Sequence, residues 1–131
     1  MAEQRRRAYA LLIRAGRVLL LHRVSNTAEP DIWEIPGGAV APDETWAQTV
    51  RREVSAETGL DVLVADELTR FVDDDVHTIT FGCFENEIRP ELELRAHDDF
   101  EWMTYAEATR VPLPWHVRET LAHADALGLL T

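Results

Sequence analysis

Between Gly37 and Leu60 the chain reads GGAVAPDETWAQTVRREVSAETGL, two glycines and then an amphipathic segment that carries acid on its inward face. No other stretch restricts the fold as strongly. Thr45 with Gln48 three residues on forms a capping box, and Gly59 supplies the left-handed residue that commonly ends a helix, so the spacing predicts a helix over Thr45 to Gly59. At about 100° per residue, Trp46, Ala47, Val50 and Val54 cluster on one side and define a buried stripe. On that wheel Glu57 falls between Trp46 and Val50, and Glu53 lies just beside them. Two carboxylates four residues apart therefore share the packing face, where like charges repel and an unpaired ion costs several kcal/mol to desolvate. A hard divalent cation with oxygen ligands would compensate them. Neighbouring arginines such as Arg51, Arg52 or Arg70 would do the same, and the helix alone leaves both readings open.

Composition narrows the partners. A length of 131 residues with 46% hydrophobic content is enough for one domain over 1–131 with a single core. The formal net charge of -11 argues against a nucleic-acid polymer or an anionic membrane as an electrostatically recruited partner. All thirteen basic residues are arginine, so no lysine nucleophile is present. The single cysteine, Cys83, leaves no disulfide to form within the chain and reads as a buried thiol among strand residues, which fits a reducing compartment. The apolar run Ala8 to Ile13 is too short for the core of a signal sequence, and no stretch approaches the roughly 20 apolar residues of a membrane span, so the cytoplasm is the expected location.

Around the central stretch, Arg7 to Ile13 and Arg17 to Val24 predict a β-hairpin turning at Arg14 to Gly16, followed by a loop over Ser25 to Asp31. Trp33 to Ile35 reads as a short strand ended by Pro36, and Gly37 with Gly38 as a tight turn or a close approach of backbone to something bound. Further on, Asp61 to Ala65, Leu68 to Val72, Val76 to Glu85, Glu91 to Leu94 and Phe100 to Met103 read as strands, with Asp73 to Asp75 a solvated turn. Thr104 and Glu107 form a second capping box, for a short helix over Tyr105 to Thr109. Pro114 suits the first turn of a final helix lined by Val117, Leu121 and Ala124 and ending near Gly128. The five histidines lack zinc spacing, and only His97, beside Asp98, stands out.

From Gly38 there are five residues to Glu44, seven more to Arg52, and then Glu53, Val54, Ser55, Ala56, Glu57, Thr58, Gly59 and Leu60. This register resembles the signature of the Nudix (MutT-like) hydrolases, departing from it only at Ala56, where the first of two paired glutamates is expected. The preceding WEIPG and the later HDDFEW, His97 to Trp102, extend the resemblance along the chain. It implies an α/β fold, an α/β/α sandwich with a mixed curved sheet between helices. It also implies hydrolysis of a diphosphate linked to another moiety, within a nucleotide, using Mg2+ or Mn2+. Carried over by position, Glu53 and Glu57 would be metal ligands with the carbonyl of Gly37 as a third, Glu53 would take the proton from the attacking water, and Arg52 would orient Glu53. Glu44 is a further candidate, and an additional acid would come from Asp98, Asp99 or Glu101. Trp33, Phe71 and Trp115 are candidates to stack on a base. The resemblance makes a homodimer an expectation. Alanine at position 56 supplies no oxygen, so a reduced metal complement, or a nucleotide-binding module without turnover, is the alternative to a fully active hydrolase.

Overall fold

The computed structural model describes residues 5–23 and 31–131, so the expected loop over Ser25 to Asp31, except for Asp31 itself, and Val24 at the end of its strand lie outside the described residues. The elements run β1 (Arg5–Arg14), β2 (Arg17–Arg23), β3 (Ile32–Glu34), β4 (Gly37–Ala39), α1 (Trp46–Thr58), β5 (Val62–Asp73), β6 (Val76–Glu85), β7 (Asp99–Met103), α2 (Tyr105–Ala108) and α3 (Trp115–Ala126).

Strand β1 organises the sheet. One edge pairs in parallel with β6 from Arg5 to Leu12. The other edge is shared, with β4 against Arg7 to Tyr9 and β2 against only Ile13 and Arg14. The hairpin turns through Ala15 and Gly16, both at positive φ, and its two strands then separate. Strand β3 lines the freed edge of β2 and β4 lines that of β1, so the chain from Ile32 to Ala39 crosses the opening between them. Ile35 and Pro36 are buried at the crossing, where Pro36 O accepts from Ala10 N at 2.9 Å.

Alternation along β1 builds two cores. Ala8, Ala10 and Leu12 pack with Leu19, Leu21, Val62 and Cys83 against Val50 and Val54 of α1. Leu11 and Ile13 pack with Val18, Leu20 and Met103 against Val117, Leu121 and Ala124 of α3. The result is a mixed sheet with helices on both faces, as expected. Burial pushes the Cys83 thiol up to about 12, which makes it an inert core group.

Four local expectations need correction. The strands expected at Asp61 to Ala65 and Leu68 to Val72 are one strand, β5, whose register shifts at Glu67 let it bend without ending. The segment from Glu91 to Leu94 forms no strand; Leu92 and Leu94 pack against the α1-side core, and the ladder bond they would need is replaced by Glu93 N to Thr58 O at 2.9 Å. Gly37 and Gly38 belong to strand β4 and do not turn. Pro114 takes the N-cap position of α3, one residue before its first turn, with no side-chain capping bond. The buried face of α1 also includes Thr49 and Thr58, which a hydrophobic wheel passes over because their hydroxyls are satisfied locally: Thr58 Oγ1 donates to Val54 O and Thr49 Oγ1 to Glu44. Both capping boxes form, and Gly59 ends α1 at φ 77°.

The fit of β4 against β1 leaves no room for a side chain at position 37. A methyl group there would overlap Tyr9 Cδ1 and Ala8 O and stand 2.7 Å from Tyr9 Cα. Two of those three atoms are backbone and cannot rotate away. Gly37→Ala is expected to lower stability in urea unfolding by about 1–3 kcal/mol, the usual range for overpacking.

Candidate active site

The acidic cluster forms where α1 faces β4. Glu57, half-buried, accepts a hydrogen bond from Gly37 N at 2.9 Å. Glu53 lies one turn earlier, and a methyl group on Gly38 would stand 2.9 Å from its Oε1, so the bare strand lets helix and backbone meet. Gly37 pairs with Tyr9, between the hydrogen-bonded positions Pro36–Ala10 and Val40–Arg6, which keeps its backbone groups off the β1 ladder and free for the helix side.

Arg52 organises the rest. Its Nε and Nη2 grip Glu44 at 2.7 and 2.9 Å, and Nη1 donates to Glu53 Oε1 at 2.9 Å. Glu44 also accepts from Thr49 Oγ1 at 2.7 Å, and the Arg52 and Thr49 bonds hold its carboxyl down at about 2. Burial pushes the Glu57 carboxyl the other way, up to about 7, against the Gly37 bond and with the negative charges of Glu53 and Glu34 adding to the rise. Among the described residues no arginine pairs with Glu57.

Two residues that sequence reasoning did not place here complete the cluster. Glu34 on β3 lies near enough for its charge to raise Glu57, and His97 near enough to lower it. His97 is buried, with Nε2 2.7 Å from Glu34 Oε1, while Arg23 Nε reaches the same oxygen at 3.0 Å. Burial pushes Glu34 up, but these two partners outweigh it and leave its carboxyl below the ordinary value. A usable signal was present: Glu34 alternates with Trp33 and Ile35 in a strand that runs directly into the two glycines.

The later acids fall elsewhere. Asp98 pairs with His22 Nδ1 at 2.7 Å. Asp99 and Glu101 are exposed on β7 and alternate with Phe100 and Trp102, which pack on the α1 side, so they point to the opposite face of the sheet from Glu53 and Glu57. Trp33 packs against His22, ring centroids 4.8 Å apart, and Phe71 meets Trp115 edge-on at 4.9 Å. Ala56 is exposed on α1.

Two half-buried carboxylates with no arginine on Glu57 fit a hard divalent cation. Among the described residues no three His, Cys, Asp or Glu side chains converge into a ready metal cage. A cation here would rest on Glu53, Glu57, backbone oxygen and water, a donor set suited to a magnesium-sized ion that keeps several waters.

Residues 3–124 match the pattern of the NUDIX domain. A MutT-like protein of Streptomyces ambofaciens is 48% identical over 117 residues, which are 88% of this chain and 67% of that protein. The CTP pyrophosphohydrolase of Escherichia coli K12 is 26% identical over 106 residues, 79% of this chain and 78% of that one. The solution structure of the E. coli ORF135 protein superposes with a TM-score of 0.78 at 24% identity, over 95% of this chain and 91% of its own. The chain belongs to the Nudix family and is a Nudix pyrophosphohydrolase, a class that generally uses divalent metals and acts on small nucleotides. No helix among the described residues is long and apolar enough to cross a membrane.

The raised Glu57 carboxyl has a consequence for stability. Its folded value of about 7 lies above the ordinary 4.5, so between those values the folded state binds more protons than the unfolded one and stability falls as pH rises. Glu44, held at about 2, acts in the opposite direction and at lower pH. Metal-free protein is expected to lose Tm between about pH 4.5 and 7 relative to Glu57→Gln, which lacks the ionisation. Added Mg2+ should restore that loss above pH 7 in the wild type alone, measured by thermal unfolding across pH. Equal pH profiles for the two proteins would contradict the assignment.

Proposed function

We propose that this chain hydrolyses the pyrophosphate linkage of a nucleoside triphosphate with Mg2+ or Mn2+ held on Glu53 and Glu57. The observation that carries the reading is Glu57 itself: a half-buried carboxyl, raised to about 7, with a backbone N–H as its partner and a second carboxylate beside it. Such a group is costly in a merely structural helix and useful where a cation arrives. The E. coli relative's name, CTP pyrophosphohydrolase, supports a nucleoside triphosphate over other linked diphosphates.

A divalent cation bound there supplies Lewis acidity toward a phosphoryl oxygen and charge compensation for the leaving group. The residues of the chain supply position. Arg52 fixes both Glu44 and Glu53, and because it occupies Glu53 Oε1, Oε2 is the oxygen left to accept a proton from the attacking water. Glu44, kept ionised, anchors Arg52 and stays out of proton transfer. On the α3 side, Trp115 is 52% exposed and stands against Phe71, with the His116 ring 6.2 Å away. That aromatic wall suits a nucleobase. Trp33 is engaged by His22 and is the weaker stacking candidate.

Purified protein with Mg2+ or Mn2+ and a panel of nucleoside triphosphates, nucleotide sugars and dinucleoside polyphosphates should release pyrophosphate and a monophosphate from at least one triphosphate. Glu53→Gln should lower kcat by about 10² or more with little change in KM. Binding without cleavage across the panel would favour the alternative that Ala56 raises, a module that holds nucleotides without turning them over. Trp115→Ala should raise KM several-fold, about the value of one lost stacking contact, with kcat nearly unchanged.

A further inference from the structure

Strand β1 opens with three consecutive arginines, Arg5, Arg6 and Arg7, which with Ala39, Val40 and Val76 line a cavity of about 710 Å3. Strand alternation sends Arg5 and Arg7 to the α3 face and Arg6 to the α1 face, where its guanidinium lies 5.7 Å from the Trp46 ring centroid. The cavity thus wraps the end of the sheet with cations from both sides. Among the described residues none of these arginines pairs with a carboxylate; Arg95, Arg110 and Arg118 are likewise without one but lie apart in the sequence, whereas Arg14, Arg17, Arg23, Arg51, Arg52, Arg70 and Arg89 do pair. In a chain of net charge -11, carboxylates are the abundant partner, and three consecutive guanidinium groups gathered at one hollow without one form a local concentration of positive charge.

The cavity also touches the acidic site. Ala39 follows Gly38 directly, and Arg52 Nη2 lies 3.4 Å from Ala39 O. Arg7 is felt at Tyr9, where burial raises the phenol and the positive charge of Arg7 opposes that rise, and at His116, where burial lowers the imidazole and Arg7 adds to the fall. One short strand, β4, therefore has carboxylates over its start and arginines around its end. Guanidinium groups present forked donors that match phosphate oxygens, and the apolar floor of Ala39, Val40 and Val76 offers no competing acceptor side chain.

We propose that this cavity binds a phosphate group distinct from the pyrophosphate cleaved at Glu53 and Glu57. The binding rests on the cavity alone; only its connection to substrate rests on the hydrolase reading. The phosphate has two possible sources with the same chemistry, a further phosphoryl group carried by the substrate or a free inorganic anion.

The test is calorimetric titration of inorganic pyrophosphate into protein stripped of metal on a chelating resin, at low salt. Saturable binding is expected, weakened about tenfold or more in Arg5→Gln/Arg6→Gln/Arg7→Gln, as loss of charge-assisted hydrogen bonds requires. Ala39→Glu, which adds a carboxylate at an exposed strand position and spares the arginines, should weaken it as well and serves if the triple variant does not fold. Absence of saturable binding, or equal affinity in the wild type and the folded variants, would overturn the proposal. Steady-state kinetics then separates the sources. A raised KM at constant kcat in the variants, with pyrophosphate competitive, places the phosphate on the substrate; an unchanged KM with pyrophosphate binding lost assigns a free anion. Loss of turnover in Glu53→Gln bears on the hydrolase reading and leaves this one untouched.

Discussion

The hydrogen bond from Gly37 N to Glu57 is the contact on which the site depends, because it ties the acidic helix to β4, the strand that fills the edge of β1 left open by β2. It forms only where neither Gly37 nor Gly38 carries a side chain, since a β-carbon at the first would strike Tyr9 and Ala8 and at the second would press on Glu53. The separation of β1 from β2 after their two-residue pairing makes the space that β4 fills. Backbone topology, bare glycines and the helix register thus act as one device, and its product is a carboxylate pair of which only Glu53 has an arginine partner among the described residues.

Charge is partitioned with the same economy. Arg52 is spent on Glu44 and Glu53, which fixes the orientation of one carboxylate and leaves Glu57 to burial. Around the other end of β4 the arginines of β1 stand without carboxylate partners among the described residues. An anionic chain that accepts an anionic nucleotide gains from such a division; in the proposed reading a divalent cation is recruited at one end of the strand and guanidinium is supplied at the other. The pair of buried His97 and half-buried Glu34 closes the acidic side and adds opposing charges to the field at Glu57.

Much of this was legible in the residues. The wheel placed Glu53 and Glu57 on the packing face of α1, and the caps at Thr45 and Gly59 fixed the helix ends. The family followed from the spacing between Gly38 and Leu60. What escaped was tertiary. Glu34 and His97 are 63 positions apart and meet only through the crossing chain. Asp99 and Glu101 are acidic and near His97 in sequence, yet strand alternation turns them to the other face. Thr49 and Thr58 are polar by composition and buried in fact, because their hydroxyls are satisfied within a turn of the helix. The continuous strand β5 was hidden by Asp66 and Glu67, exposed polar residues at a register shift that look like a break when only hydrophobicity is read.

Proton release on cation binding tests the central claim most directly. If a divalent cation replaces the proton that burial keeps on Glu57, calorimetric titration of Mn2+ in buffers of different ionisation enthalpy should record close to one proton released per ion near pH 6, falling toward zero above about pH 8. Glu57→Gln should bind the ion more weakly and release almost none. A wild-type protein that binds Mn2+ without pH-dependent proton release, or a variant that matches it, would contradict the account.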